Sequence, residues 1–363
     1  MKILMKILTL CLTVIFISCG KETISQIEDP KENMKIGWQS SQPIPQPYKI
    51  DQLPGIAKYK GEIYLLGDNG TMWNNFDDNQ WNGWALHKGP SLDNLVKMPQ
   101  PRMSANFPNF RTEGNEWCYY WLMGLWIDET SGHFYSIAYS EYNYLNGWVT
   151  EAKERRLGLA ISKDEGATWS YQGDIVTQDK SNAAPVNKQF YGVGDISFLI
   201  PGDGYAYIYY KQGFYSLENL NRTDQNISVA RCKLSDKLAP NSWKKFYQGT
   251  WEQDGLGGKE STIIPFVNIA NVVYNTYLER YVCIGNAPSG KSFISFASSM
   301  EKQDWTERDF NFPQVTSYYN WQVDEQTGDS HVVGKDIRLY TAGIDKATNQ
   351  RTGNYYKVSF NKE

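Results

Sequence analysis

An all-β fold is expected of this chain because paired strand-like runs recur at a fixed spacing and no segment keeps a long helical period. Aromatic residues also make up 15% of it, with 13 Trp and 25 Tyr, which suits a large sheet core. The recurring unit is two apolar runs joined by a tight turn. It is read at IAKYKGEIYLLGD (56–68), LWIDETSGHFYSIAYSE (125–141), DISFLIPGDGYAYIYYK (195–211) and NVVYNTYLERYVCIGN (271–286), with a last pair over 318–343 and NYYKVSF (354–360) after it. The first four pairs end at 68, 141, 211 and 286, so the steps are 73, 70 and 75 residues. A four-stranded unit of that period predicts a five-bladed β-propeller of four-stranded antiparallel blades. A two-sheet sandwich leaves the repeat unexplained.

The second half of each unit is clearest in LGLAISKDEGATWSY (157–171), where KDEGAT reads as a turn between two extended runs. Asp164 is placed to accept backbone N–H bonds, Gly166 to supply a positive φ, and Trp169 to pack back over the hairpin. A calcium loop needs more oxygen ligands along a longer segment. The spacing Ser162-x-Asp164-x-Gly166-x-Thr168-Trp169 resembles the Asp-box, or bacterial neuraminidase repeat. That resemblance implies a structural turn on the outer rim of a blade, away from any active centre. Degenerate copies occur at 228–249 and 292–310, with Trp243 and Trp305 in the place of Trp169, and more faintly at 84–98.

Residues 1–19, MKILMKILTLCLTVIFISC, carry a basic start, an apolar core too short to span a membrane comfortably, and a small residue before a cysteine. Phe16-Ile17-Ser18-Cys19 resembles a lipobox, which implies cleavage before Cys19, lipidation of that cysteine, and an outer membrane lipoprotein at the cell surface or periplasmic face. Residues 20–48 are polar and proline-dotted and read as a flexible tether, leaving 49–363 as a single propeller domain. The net charge of −4 and the lack of a basic run argue against a nucleic-acid partner. Cys118, Cys232 and Cys283 are widely spaced, sit in apolar runs and form neither a disulfide framework nor a zinc site. A monomer is expected.

In a propeller, residues just before the first strand of a blade and those ending its second strand converge on one axial pocket. That rule selects Asp68, Glu141, Asp195, Lys211, Asn271 and Asn286, with Glu260 on the loop entering the fourth unit. Carboxyl groups brought together raise one another's pKa, so that one can stay protonated while another stays ionised. Glycoside hydrolysis needs such a pair. Asp68, Asp195, Glu141 and Glu260 are therefore the candidate catalytic residues. Arg102 and Arg111 are candidate clamps for a charged substrate, and Lys211, Asn271 and Asn286 candidate polar contacts. Tyr64, Trp73, Trp81, Trp126 and Tyr142 are candidate stacking platforms for sugar rings. The glycines of Gly192-Val193-Gly194 read as space for a substrate to approach the backbone.

LLGDNG, GDGYAYIYYKQG and NVVYNTYLERYVCIG resemble motifs of the domain of unknown function 4185, a grouping that includes the endo-D-arabinanases of glycoside hydrolase family 183. The resemblance covers about residues 50 to 360. It implies hydrolysis of an arabinan-like furanoside polymer by carboxylates at the centre of a propeller, with Asp68 the first residue carried over and Asp195 the second. The expected function is a lipid-anchored glycoside hydrolase acting on an extracellular polysaccharide. No cofactor is required by the sequence; related five-bladed enzymes imply that an axial calcium ion is compatible, without a ligand set here. One alternative is a non-catalytic glycan-binding lipoprotein of a polysaccharide-utilisation system. Another is a sialidase-like exo-glycosidase, disfavoured because an R-I-P motif and an arginine triad are not found. A lyase ranks last, with only His87, His133 and His331 to draw on.

Overall fold

The computed structural model describes residues 25–29, 34–39, 42–43, 53–68, 84–104, 106–107, 116–144, 153–179, 189–216, 225–265, 267–313, 319–345 and 350–362. Among them the only helix is one 3-10 turn, Leu234–Asp236. In chain order, β1 (Ser25–Asp29), β2 (Met34–Trp38) and β3 (Gln42–Pro43) come first. β4 (Gly55–Tyr59), β5 (Glu62–Asp68), β6 (Trp84–Gly89) and β7 (Val96–Lys97) then form an antiparallel meander. After the short β8 (Arg102–Met103), the pattern repeats as β9 (Glu116–Asp128), β10 (His133–Tyr144), β11 (Lys153–Ser162) and β12 (Thr168–Val176). It repeats again as β13 (Gln189–Leu199), β14 (Tyr205–Ser216), β15 (Asn226–Lys233), β16 (Lys244–Tyr247) and β17 (Thr250–Asp254). β18 (Ile269–Asn275), β19 (Arg280–Asn286) and β20 (Ser292–Ala297) make the next sheet. β21 (Tyr319–Asp324), β22 (Val332–Val333), β23 (Asp336–Asp345) and β24 (Gln350–Lys362) complete the chain.

Hydrogen bonding groups the described strands into four sheets. The largest arises because β11 and β13 pair in parallel, Lys153–Arg155 against Phe190–Gly192, and so join two repeats. Strands such as SFISFA (β20) and YNWQVD (β21) are buried along their whole length, the pattern of sheets covered on both faces. The core lies between successive strand groups. Trp84 and Leu86 of the first pack against Leu122 and Phe134 of the second. Ile137 and Leu159 of the second meet Ile196 and Ile208 of the third. Tyr209 and Val229 of the third meet Val272 and Cys283. Ile284 and Ile294 meet Leu339 and Phe360, and Trp321 and Tyr340 return to Ile56 and Leu65 of the first.

The tether expected over 20–48 is corrected in part. β2 pairs antiparallel with β24, Ile36 opposite Phe360, and Met34 and Ile36 are buried in the last sheet. The apolar neighbours that fix MKIGW as a strand come from the far end of the sequence, so no local signal marks it.

The turn after β11 has the predicted form. Gly166 N–H donates to Ser162 Oγ at 2.8 Å, Thr168 N–H donates to Asp164 Oδ1 at 2.8 Å, and the Trp169 indole donates to Gly166 O at 2.9 Å. Gly166 has φ +89°, and Trp169 is fully buried. Of the later copies, Trp243 repeats this with a bond to the backbone carbonyl of Leu238 at 3.1 Å, while the part-buried Trp305 donates to the Gln303 side chain at 3.0 Å.

The innermost strands meet at one level. A Cβ on Gly55 of β4 would lie 2.3 Å from the Gly124 backbone of β9, and one on Gly124 would lie 2.6 Å from Phe198 of β13. Ser197 Oγ accepts from Val272 N–H at 2.9 Å, and Asn271 Oδ1 accepts from Gln322 N–H at 2.8 Å, which brings in β18 and β21. This belt encloses a cavity of about 10 Å³, near the minimum for a single water. Residues before the belt on the inner strands lie at one end of the axis, and residues after it at the other.

Candidate active site

Asp195 stands two residues before Ser197 and has φ +46°. It sits where the β13–β14 register shifts between Gly194 and Ser197, a bulge that re-aims a side chain. Aspartate is among the few non-glycine residues that tolerate this left-handed backbone, which is costly and tends to be kept at functional positions. Its Oδ2 accepts from Lys211 Nζ at 2.9 Å and its Oδ1 from the Tyr319 hydroxyl at 3.3 Å. The Lys211 side chain is 3% exposed and that of Asp195 12%. Burial by itself pushes the Asp195 carboxyl up, but the charge and hydrogen bond of Lys211, helped by Arg155 and Tyr319, hold it below the usual carboxylate range. Asp195 is therefore an ionised carboxylate with a narrow window to solvent.

A second carboxylate shares Tyr139 with it as a neighbour. Glu141 on β10 is half-buried and directly opposite Arg155 on β11, so the two side chains share a face. Glu141 Oε1 accepts from the Tyr139 hydroxyl at 2.6 Å. Burial, then the charges of Glu141 and Asp195, push the Tyr139 phenol well above its ordinary value, so it stays a neutral donor between the two acids. Arg155 is 4% exposed, and its Nη2 lies 3.5 Å from Gly213 O. The parallel pairing of β11 with β13 places Arg155 against Gly192 and hence near Asp195. The glycines at 192 and 194 serve this approach and not a substrate's. A Cβ on Gly192 would lie 2.2 Å from Arg155 O, and one on Gly194 would lie 2.4 Å from the Tyr139 ring. The cluster joins two acids, two cations and two phenols drawn from β10, β11, β13, β14 and β21.

Glu141, Asp195 and Lys211 thus come together as the axial rule expects, although Lys211 grips Asp195 and is shielded from a ligand. Asp68 ends β5 with its backbone opposite Trp84, two positions past the partner of Gly55 and so before the belt; its side chain lies outside the described residues. The same holds for the side chain of Tyr142, while Trp73, Trp81, Arg111 and Cys19 fall wholly outside them.

Other expectations are corrected. Glu260 is sealed in an ion pair with Lys245, the side chains 3% and 0% exposed, so no substrate reaches it. Asn271 and Asn286 are buried and their amides are used within the fold: Asn271 bonds Ser197 and Gln322 on neighbouring inner strands, and Asn286 of β19 accepts from Ser292 of its own sheet and from Asn320 of β21. Arg102 is exposed on β8, paired beside Thr168 at the tryptophan-capped turn and not in the cluster. Tyr64 is buried against Phe134, with ring centroids 5.0 Å apart. Trp126 comes after the belt on β9, at the opposite end of the axis. The polar residues lining the belt cavity are Ser197, Asn271, Ser330 and His331. Among the described residues no group of three or more His, Cys, Asp or Glu is placed to hold a metal.

Tyr139, Arg155 and Tyr319 were not selected from the sequence. One signal for Arg155 is present: in KERRLGLAIS it alternates in phase with the buried Leu157 and Leu159, so a charge falls on the core face of its strand.

No family model matches the chain, and no curated protein matches it in sequence. Solved structures do match its fold. The exo-β-1,3-galactanase of Phanerochaete chrysosporium, solved with β-1,3-galactotriose, superposes with a TM-score of 0.52 at 12% identity, over 88% of this chain and 64% of that one. A family 117 glycoside hydrolase of the marine bacterium Zobellia galactanivorans gives 0.50 at 9% identity, over 93% of this chain and 90% of that one. At these identities the likeness is one of fold: an all-β, propeller-type architecture shared with glycoside hydrolases.

Proposed function

We propose that this chain is a glycoside hydrolase whose reaction is carried by Asp195 and Glu141. The observation that carries the reading is a pair of carboxylates with unlike surroundings on one buried cluster. Asp195 is held ionised by a buried lysine in a strained bulge, and Glu141 is hydrogen-bonded to a neutral phenol beside an arginine. In such a pair the ionised carboxylate attacks the sugar or activates water, and the other protonates the departing oxygen. On this assignment Asp195 is the base or nucleophile and Glu141 the acid. Lys211 and Tyr319 orient Asp195, and Tyr139 and Arg155 orient Glu141. Asp68 is kept as a third acid of the same end. The shared fold with glycoside hydrolases supports the reaction class.

The finer reading is a five-bladed propeller, supported by the five apolar clusters between successive strand groups among the described residues. It includes a lipid anchor at Cys19 and an arabinan-like furanoside polymer as substrate, which rest on the sequence motifs. The competing reading is a glycan-binding lipoprotein without turnover, favoured by how little of Asp195 reaches solvent.

Reducing-end release from arabinan, galactan and xylan decides between them. Glu141→Gln removes the acid while keeping the hydrogen bond from Tyr139, so hydrolysis should fall by about 10²–10⁴-fold with the fold intact. Wild-type turnover in Glu141→Gln would refute the assignment, and glycan binding without new reducing ends in the wild type would favour the binding protein.

A further inference from the structure

We infer that the end of the axis opposite the carboxylates holds a second, non-hydrolytic site for a neutral saccharide. A pocket of about 320 Å³ lies there, formed by residues that come after the belt: Ile56–Lys58 of β4, Leu125–Glu129 around the end of β9, Ile200 after β13, and Thr327 to His331 after β21. That volume is at the lower end for ligand pockets and admits roughly one or two sugar rings. The belt and its small cavity separate it from Asp195 and Glu141.

His331 makes the floor. One ring nitrogen lies 3.2 Å from Phe198 O and the other 3.3 Å from Leu125 O, which pins the imidazole between the inner strands β13 and β9. Phe198 stands edge-on to it at 5.5 Å. A floor fixed in this way is preformed.

The walls have the mixed character that sugars need. Trp126 is half-buried. It packs against Tyr135 with ring centroids 4.7 Å apart, Lys237 Nζ lies 5.4 Å from its ring centre, and its indole N–H has no acceptor among the described residues. With Ile200 it supplies apolar surface for C–H groups. Asp329 Oδ1 is taken by the N–H groups of His331 and Val332 at 2.7 and 3.0 Å, while its Oδ2 accepts nothing among the described residues. Lys58 and Glu129 are exposed at the rim and have no hydrogen-bond partner among the described residues. Acceptors and a donor are thus presented together around an aromatic wall. Glu129 and Asp329 face Lys58 and the Lys237 ammonium beside Trp126, itself paired with Asp128, so the charges largely offset and the composition suits a ligand with many hydroxyls and no charge.

This inference is independent of hydrolysis at Asp195 and Glu141, and its test reads the two separately. Affinity electrophoresis in gels containing arabinan, galactan or xylan measures binding of the Glu141→Gln protein, with Trp126→Ala and, separately, Lys58→Ala with Glu129→Ala added to it. The latter pair changes only exposed side chains, so it keeps the test sound if Trp126→Ala perturbs packing. Retardation by at least one polymer is expected to weaken about tenfold in both added variants. Release of reducing ends from a soluble trisaccharide by the corresponding variants with Glu141 intact should be unchanged. Equal retardation with and without the added substitutions, or no retardation by any of the three polymers, would overturn the second site. Loss of trisaccharide hydrolysis in the Lys58→Ala/Glu129→Ala protein would also overturn it, since the pocket would then belong to the reaction.

Discussion

Among the described residues there are two buried lysine–carboxylate pairs, and they differ in what surrounds them. Lys245 and Glu260 are closed off: the ammonium also donates to Thr177 O at 2.7 Å and Gly258 O at 2.8 Å, and neither side chain reaches water. Desolvation there outweighs attraction, pushing Glu260 up and Lys245 down. Lys211 and Asp195 are also buried, yet the carboxylate keeps a solvent edge, stands in a left-handed bulge, and is held below its usual range. A second acid and an arginine complete its surroundings. The first pair bonds a loop to strand β16; the second has the makings of a reactive group. Burial of an ion pair therefore says little about function until its access and its neighbours are known.

The sharpest way to break this comparison is to neutralise each acid. Asp195→Asn should lose about 10²–10⁴-fold in hydrolysis. It should also lose about 3 kcal/mol of stability, because Lys211 is left buried without its counter-ion. Glu260→Gln should lose about 3–5 kcal/mol in denaturant unfolding for the same reason, with turnover per folded molecule unchanged. Should Glu260→Gln abolish turnover while unfolding normally, the two roles would have been assigned the wrong way round.

A smaller effect sharpens the role of Lys211. A depressed carboxylate contributes stability above its unfolded value, near 3.8, and loses it as pH falls through the folded value. Lys211→Met removes the main cause of the depression and leaves burial opposed only by Arg155 and Tyr319, so the acid limb of the pH–rate profile should move to higher pH. The acid-side loss of stability should likewise begin at higher pH. An unmoved acid limb would show that Asp195 does not control it.

Much of the fold was legible because its signals are local. Alternating runs with tight turns located the strand pairs, and Ser162, Asp164, Gly166 and Trp169 specified a turn that forms as expected. The axial rule also picked out Asp195, Glu141 and Lys211, which the structure places in one cluster. What it missed depends on pairing between distant segments. Arg155 enters the cluster only because β11 lies parallel to β13, and Tyr139 only because Gly194 makes room for its ring. The rule over-selected for a related reason. It reads position along a strand but not how completely a neighbour occupies the side chain, so it chose Asn271, Asn286 and Glu260. Trp126, read only as a stacking platform, carried no sign of which end it faces, because an aromatic on an inner strand reads alike on either side of the belt.

The pairing of β2 with β24 carries a consequence for biogenesis. Met34 and Ile36 leave the ribosome long before Phe360 does, so the last sheet stays unfinished until β24 has been made. Its two early apolar side chains must be shielded by something else for that interval. Deletions that spare every acid at the axis but remove β24 would therefore yield an aggregating chain.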